Sequence, residues 1–149
     1  MQSLRVRDLM TSPAITVPPP TRLPVIKLFM HEKRIHRLPV VNRSRLVGII
    51  TLGDVRNAFP SDVPAIGAME ARHALDRVRA ADIMRTDVIT VTTDALLSEA
   101  ALLMLYHRIS GLPVLDGDHL AGIITKSDIC RAVVAGEIAL RPPALALQI

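Results

Sequence analysis

The chain has 149 residues and a formal net charge of +4, with half of its residues hydrophobic and 21% charged, a balance that excludes a disordered chain. Aromatic residues make up only 2%, so the core must be built from Val, Ile, Leu, Ala and Met, and a base-stacking surface for single-stranded nucleic acid is disfavoured. No apolar run approaches the roughly 20 residues of a membrane span and Met1–Asp8 lacks the apolar stretch of a signal peptide, so a cytoplasmic protein without membrane association is expected.

Ala14–Val17 is a short β-branched run and reads as a strand, which Pro18-Pro19-Pro20 ends. Thr21 stands where it would cap a helix with Pro24 in its first turn, and Leu23, Ile26, Phe29 and Met30 follow helical spacing. Leu38–Val41 and Leu46–Ile50 read as strands separated by Asn42-Arg43-Ser44-Arg45, and a short helix follows from about Leu52 to Ala58. Residues 61–79 carry Ala, Met, Glu, Leu and Arg at helix-friendly spacing and read as a partly helical linker, with Pro60 and Pro64 marking its start. Val88–Val91 is again a strand, and Leu97, Ala100, Ala101 and Met104 follow helical spacing. Two further strands flank the turn Asp116-Gly117-Asp118, before a helix from Lys126 to Ala135. The single cysteine, Cys130, lies in an apolar helical pattern and reads as a buried thiol of a reducing compartment. For the tail, 137–149, docking on a partner chain and loose order both stay open.

The second half repeats the first at an offset of 74. Met10 falls on Met84, Ile15-Thr16-Val17 on Ile89-Thr90-Val91, Leu38-Pro39-Val40 on Leu112-Pro113-Val114, and Gly48-Ile49-Ile50-Thr51 on Gly122-Ile123-Ile124-Thr125. Asp54 falls on Asp128, and between Asp8 and Arg56 no gap is needed. Each unit is strand–helix–strand–strand–helix. One unit alone leaves a sheet face uncovered, so an α/β (α+β) fold is expected in which two repeats pack around a pseudo-twofold axis. The expected division is 1–60, repeat 1; 61–79, linker; 80–136, repeat 2; 137–149, tail. Charge is uneven: residues 1–56 carry ten Lys/Arg against three Asp/Glu, and residues 80–149 five against eight.

Two motifs recur in both copies: Leu38-Pro39-Val40 with Gly48-Ile49-Ile50-Thr51-Leu52-Gly53-Asp54, and Leu112-Pro113-Val114 with Gly122-Ile123-Ile124-Thr125-Lys126-Ser127-Asp128. In order and spacing they resemble the CBS domain, named after cystathionine β-synthase, in a tandem pair or Bateman module, here read as stand-alone. The resemblance implies a non-catalytic regulatory unit. It would bind AMP, ADP, ATP or S-adenosylmethionine in clefts between its repeats, with no obligatory cofactor, and signal occupancy to an unidentified protein.

The residues themselves allow two readings of Thr51-x-x-Asp54 and Thr125-x-x-Asp128. One is a helix cap. The other, implied by the resemblance, has Asp54 and Asp128 accepting ribose hydroxyls while Thr51 and Thr125, with helix N-terminal N–H groups, face phosphate. His36 and Arg37 resemble a phosphate-binding pair, whereas their counterparts Ser110 and Gly111 are uncharged, so the two clefts should differ. Lys126 would add charge near a phosphate, and Ile15 and Ile89 would flank adenine, although ordinary sheet core is the better reading of either one taken singly. No histidine has metal-ligand spacing with another ligand type, and no nucleophile–base constellation is present, so neither a metal site nor catalysis is expected. A homodimer is expected through an exposed apolar helical face, with basic repeat 1 against acidic repeat 2 of the partner as one orientation. Nucleic-acid or protein binding through the basic half is the alternative function.

Overall fold

The computed structural model describes residues 3–59 and 67–138. The elements are α1 (Val6–Leu9), α2 (Leu23–Glu32), β1 (Arg37–Asn42), β2 (Arg45–Thr51), α3 (Leu52–Ala58), α4 (Ala68–Asp76), α5 (Ala80–Ile83), β3 (Val91–Thr92), α6 (Leu97–Tyr106), β4 (Gly111–Asp116), β5 (His119–Thr125) and α7 (Lys126–Val134). The two halves are copies of each other: β1 and β2 pair antiparallel with Leu38 opposite Ile50, β4 and β5 with Leu112 opposite Ile124, and both hairpins shift register after the central Val.

The first strand of each unit is shorter than the sequence suggests. Val88–Val91 reduces to β3, parallel to β4, and Ala14–Val17 reduces to one parallel bridge between Val17 and Val40. Pro18, Pro19 and Pro20 supply no N–H to extend that first pairing. The turn at Arg43-Ser44 has both residues at positive φ, the mirror-image turn that a two-residue hairpin favours. Thr21 is not the cap of α2. Arg22 holds that position, and the Thr21 hydroxyl instead donates to the Pro18 carbonyl at 2.7 Å.

Each half has its own apolar core, one built on Leu23, Ile26, Leu38, Val40 and Ile50, the other on Leu97, Met104, Leu112, Val114 and Ile124. The cores exchange their opening segments. Val6 of the first sequence unit is fully buried in the second core, and Ala80 of the second unit in the first. The exchange is reciprocal in its hydrogen bonds: Val6 N donates to Ala95 O and Ala80 N to Thr21 O, while Thr11 is bridged to Ile123 and Arg85 to Ile49. These pairs are related by the 74-residue offset, so the packing has the pseudo-twofold symmetry of the sequence.

The linker is helical over α4, whereas Pro60 and Pro64, and all but the first two residues of the 137–149 tail, lie outside the described residues. Cys130 is exposed, not buried. Helix α7 turns Asp128 and Ala132 inward, and a residue two positions after Asp128 falls on the outer face. Among the described residues, no helix is long and apolar enough to cross a membrane.

Candidate functional site: a cleft between the repeats

Helix α2 ends in a Schellman turn. Lys33 is the C-cap, Arg34 adopts φ 52°, Arg34 N donates to His31 O at 3.3 Å, and Ile35 N donates to Met30 O at 3.1 Å. The turn reverses the chain and delivers Ile35-His36-Arg37 to the start of β1. Across from it, β5 runs into α7 with Thr125 as N-cap. Between these two junctions lies a cavity of about 440 Å³.

The cap is a closed set of hydrogen bonds. Asp128 Oδ2 accepts from Thr125 N at 2.8 Å and from the Thr125 hydroxyl at 2.9 Å, while Asp128 N donates back to that hydroxyl at 3.3 Å. Thr51 and Asp54 build the same set at the start of α3, at 2.8, 2.8 and 3.2 Å. The capping reading of both motifs therefore holds in the structure, with Asp in the place usually taken by Glu or Gln. Capping uses one carboxylate oxygen. The other, Asp128 Oδ1, accepts from Arg131 Nη2 at 2.7 Å, one helical turn on, and the side chain of Asp128 is only 8% exposed.

Of the residues singled out in the sequence, His36, Arg37, Ser110, Thr125, Lys126, Asp128 and Ile15 all line this one cavity. The His36-Arg37 pair of repeat 1 thus meets the Thr-x-x-Asp motif of repeat 2. Ser110, its sequence counterpart, joins the same wall because its carbonyl accepts from Lys126 N at 2.9 Å. Thr51, Asp54 and Ile89 do not line it. Thr51 and Asp54 stand at the start of α3, and Ile89 packs against the second core.

Arg37 is half-buried, and desolvation pulls its pKa below the ordinary guanidinium value. Among the described residues no carboxylate pairs with it. Its aliphatic stem passes over Gly111, where an added Cβ would stand 3.1 Å from Arg37 Cδ. The residue that replaces Arg37 in the second repeat is thus what gives Arg37 its room. A desolvated cation without a partner carboxylate, on the wall of a cavity, is suited to an anionic ligand.

Arg34, Arg131 and Thr11 also line the cavity and were not found from the sequence. Arg131 had a signal, its three-residue spacing from Asp128 on a helix. Arg34 had only its place beside His36-Arg37. Thr11 had none, since it reaches the site through the segment exchange. The wall therefore carries four fixed cations, Arg34, Arg37, Lys126 and Arg131, against one carboxylate.

The CBS domain family matches residues 6–61 and 80–135. The uncharacterized protein MJ1225 of Methanocaldococcus jannaschii is 35% identical over 129 residues, 85% of this chain and 46% of that protein. Its crystal structure has a TM-score of 0.78 at 32% identity, covering 89% of this chain and 48% of that one, so this chain spans about half of that relative. The CBS domain pair of protein MJ0100, solved with 5′-methylthioadenosine and S-adenosyl-L-methionine, has a TM-score of 0.73 at 28% identity over 92% of this chain and 100% of that one. CBSX2, solved in complex with AMP, has a TM-score of 0.74 at 25% identity over 90% of this chain and 98% of that one. With two matched repeats, the β-α-β-β-α order and the shared cleft, the chain belongs to the CBS-domain family as a tandem pair, a Bateman module.

Proposed function

We propose that this module binds an adenine nucleotide (AMP, ADP or ATP) or S-adenosylmethionine between its repeats and passes its occupancy to a partner protein. The observation that carries this reading is the single cavity in which Thr125 and Asp128 face His36, Arg37 and Lys126. Its volume, about 440 Å³, lies within the range of small-molecule sites. Asp128 accepts the ribose hydroxyls, Ile15 flanks the adenine, and the first turn of α7 with His36, Arg37, Lys126 and Ser110 receives the phosphates. Thr51, Asp54 and Ile89 are the corresponding set of the opposite cleft. Ligands bridging both repeats stabilise one arrangement of the halves, and a partner that prefers that arrangement reads the ligand level by linkage. The structures of MJ0100 with its adenosyl ligands and of CBSX2 with AMP support the ligand class.

The reading includes a homodimer, formed through the exposed apolar side chains Val25 and Leu28 of α2 and Leu102, Leu105 and Tyr106 of α6. Nucleic-acid binding has less support, because two cationic side chains of the basic half, Arg34 and Arg37, line an inter-repeat cavity.

Calorimetric titration with AMP, ADP, ATP, S-adenosylmethionine and NAD tests the proposal. At least one adenine ligand should give saturable heat, with affinity falling more than tenfold in Asp128→Ala. No heat and no thermal shift with any of them at millimolar levels, or unchanged affinity in Asp128→Ala, overturns it.

A further inference from the structure

The two places where an opening segment crosses to the other repeat are copies in backbone but differ in the side chain they present. On the Asp128 side, Thr11 N and O exchange hydrogen bonds with Ile123 at 2.9 and 3.0 Å, and Thr11 lines the cavity. On the Asp54 side, Arg85 exchanges the same pair of bonds with Ile49, both at 2.9 Å. Arg85 is therefore the structural counterpart of Thr11, and its long side chain runs to Asp54, with Nε donating to Oδ1 at 3.3 Å. Since Thr11 and Asp128 both face the open cavity, the Arg85–Asp54 contact lies in the equivalent space of the opposite cleft.

Arg131 also holds a carboxylate, but in a different way. It comes from the same helix as Asp128, and the cavity exists with that contact in place. Arg85 comes from the segment opposite α3 and crosses to it. Both oxygens of Asp54 are engaged, as both of Asp128 are, so the two sides differ in where the arginine comes from and not in how full the carboxylate is. The phosphate-facing positions differ as well. Where the open cavity has His36, Arg37 and Lys126, the offset places Ser110, Gly111 and Leu52.

We infer that the module takes one adenine nucleotide per chain, in the Asp128 cleft, and that Arg85 shuts the Asp54 cleft because its ion pair with Asp54 holds a long side chain across the space that Thr11 leaves open in the other. This rests on the nucleotide-binding reading above and adds its stoichiometry and the residue that sets it. The pair itself contributes little stability, because Arg85 is two-thirds exposed. Its effect is steric, and the charge matters because it holds the side chain across to Asp54. Replacing Arg85 with Thr, as in the other cleft, leaves Asp54 Oδ1 free in a pocket without the phosphate-facing cations. Such a pocket suits an uncharged adenosine ligand.

The experiment is calorimetric stoichiometry on the full chain with two probes, ADP and 5′-methylthioadenosine. The wild type should bind one ADP per chain. Arg85→Thr, and Arg85→Gln as a second variant that removes the charge while keeping much of the length, should take up 5′-methylthioadenosine at one more site per chain than the wild type. Two ADP per chain in the wild type overturns the inference and leaves the nucleotide reading intact. So does an unchanged 5′-methylthioadenosine stoichiometry in both folded variants. Absence of binding by either probe to every form overturns both.

Discussion

Asp128 and Thr125 meet two demands with one set of bonds. Their cap satisfies N–H groups at the first turn of α7, and the same geometry fixes a carboxylate on the wall of the cleft. Side chains locked in this way lose little further freedom when a ligand arrives, which preorganises the site. Thr125→Ala and Thr51→Ala should each lower stability by about 1 kcal/mol in urea unfolding, the usual worth of an N-cap. A loss near zero would mean that the hydroxyls contribute nothing to the helices. Arg37 belongs to the same scale. It stays charged throughout the pH range in which proteins fold, so its unpaired charge persists in the half-buried wall whatever the pH.

The elements most consequential for the site are the two short helices that sequence reading passed over. Helices α1 and α5 have four residues each, too short for apolar periodicity to show, and their caps rest on Asp8 and Asp82 accepting from Arg5 N and Arg79 N. They lead into the segments that cross to the other repeat. Close approach there depends on glycine. A Cβ on Gly122 would stand 2.5 Å from the Thr11 carbonyl oxygen, which is backbone and cannot swing aside. Gly122→Ala should therefore destabilise by about 2 kcal/mol, as overpacking does, and should speed amide hydrogen exchange at Thr11 and Ile123. Unchanged exchange at both would show that the crossing tolerates the methyl. The hairpins, α2, α3, α6 and α7 were legible because their periodicity and turn residues are local, and the 74-residue offset made each copy a check on the other. The crossing was not legible, because nothing near Val6 in the sequence says which of two similar cores it enters. The cleft was half legible for the same reason. His36, Arg37, Thr125 and Asp128 stand in recognisable motifs, while Thr11 and Arg85 acquire their roles only through the crossing.

As a whole, the molecule leaves apolar side chains uncovered on its helices, with Leu102, Leu105 and Tyr106 on α6 and Val25 and Leu28 on α2 all exposed. Exposed apolar helix faces suit an interaction with another chain. Light scattering should give the mass of two chains, and Leu105→Glu should shift it to one. A wild-type monomer mass at concentrations of tens of micromolar would reject the homodimer. The two halves are coupled already within one chain, since each core is completed by a residue from the other unit. The exchange has a further consequence for how the chain comes into being. Ser12 donates to the carbonyl of Ala121, 109 positions away. During synthesis the opening segment of the first unit must therefore wait, without its docking surface, until nearly all of the second unit has left the ribosome. Closing so long a loop late makes the last step of folding slow, and neither half can reach its final packing while the other is unmade.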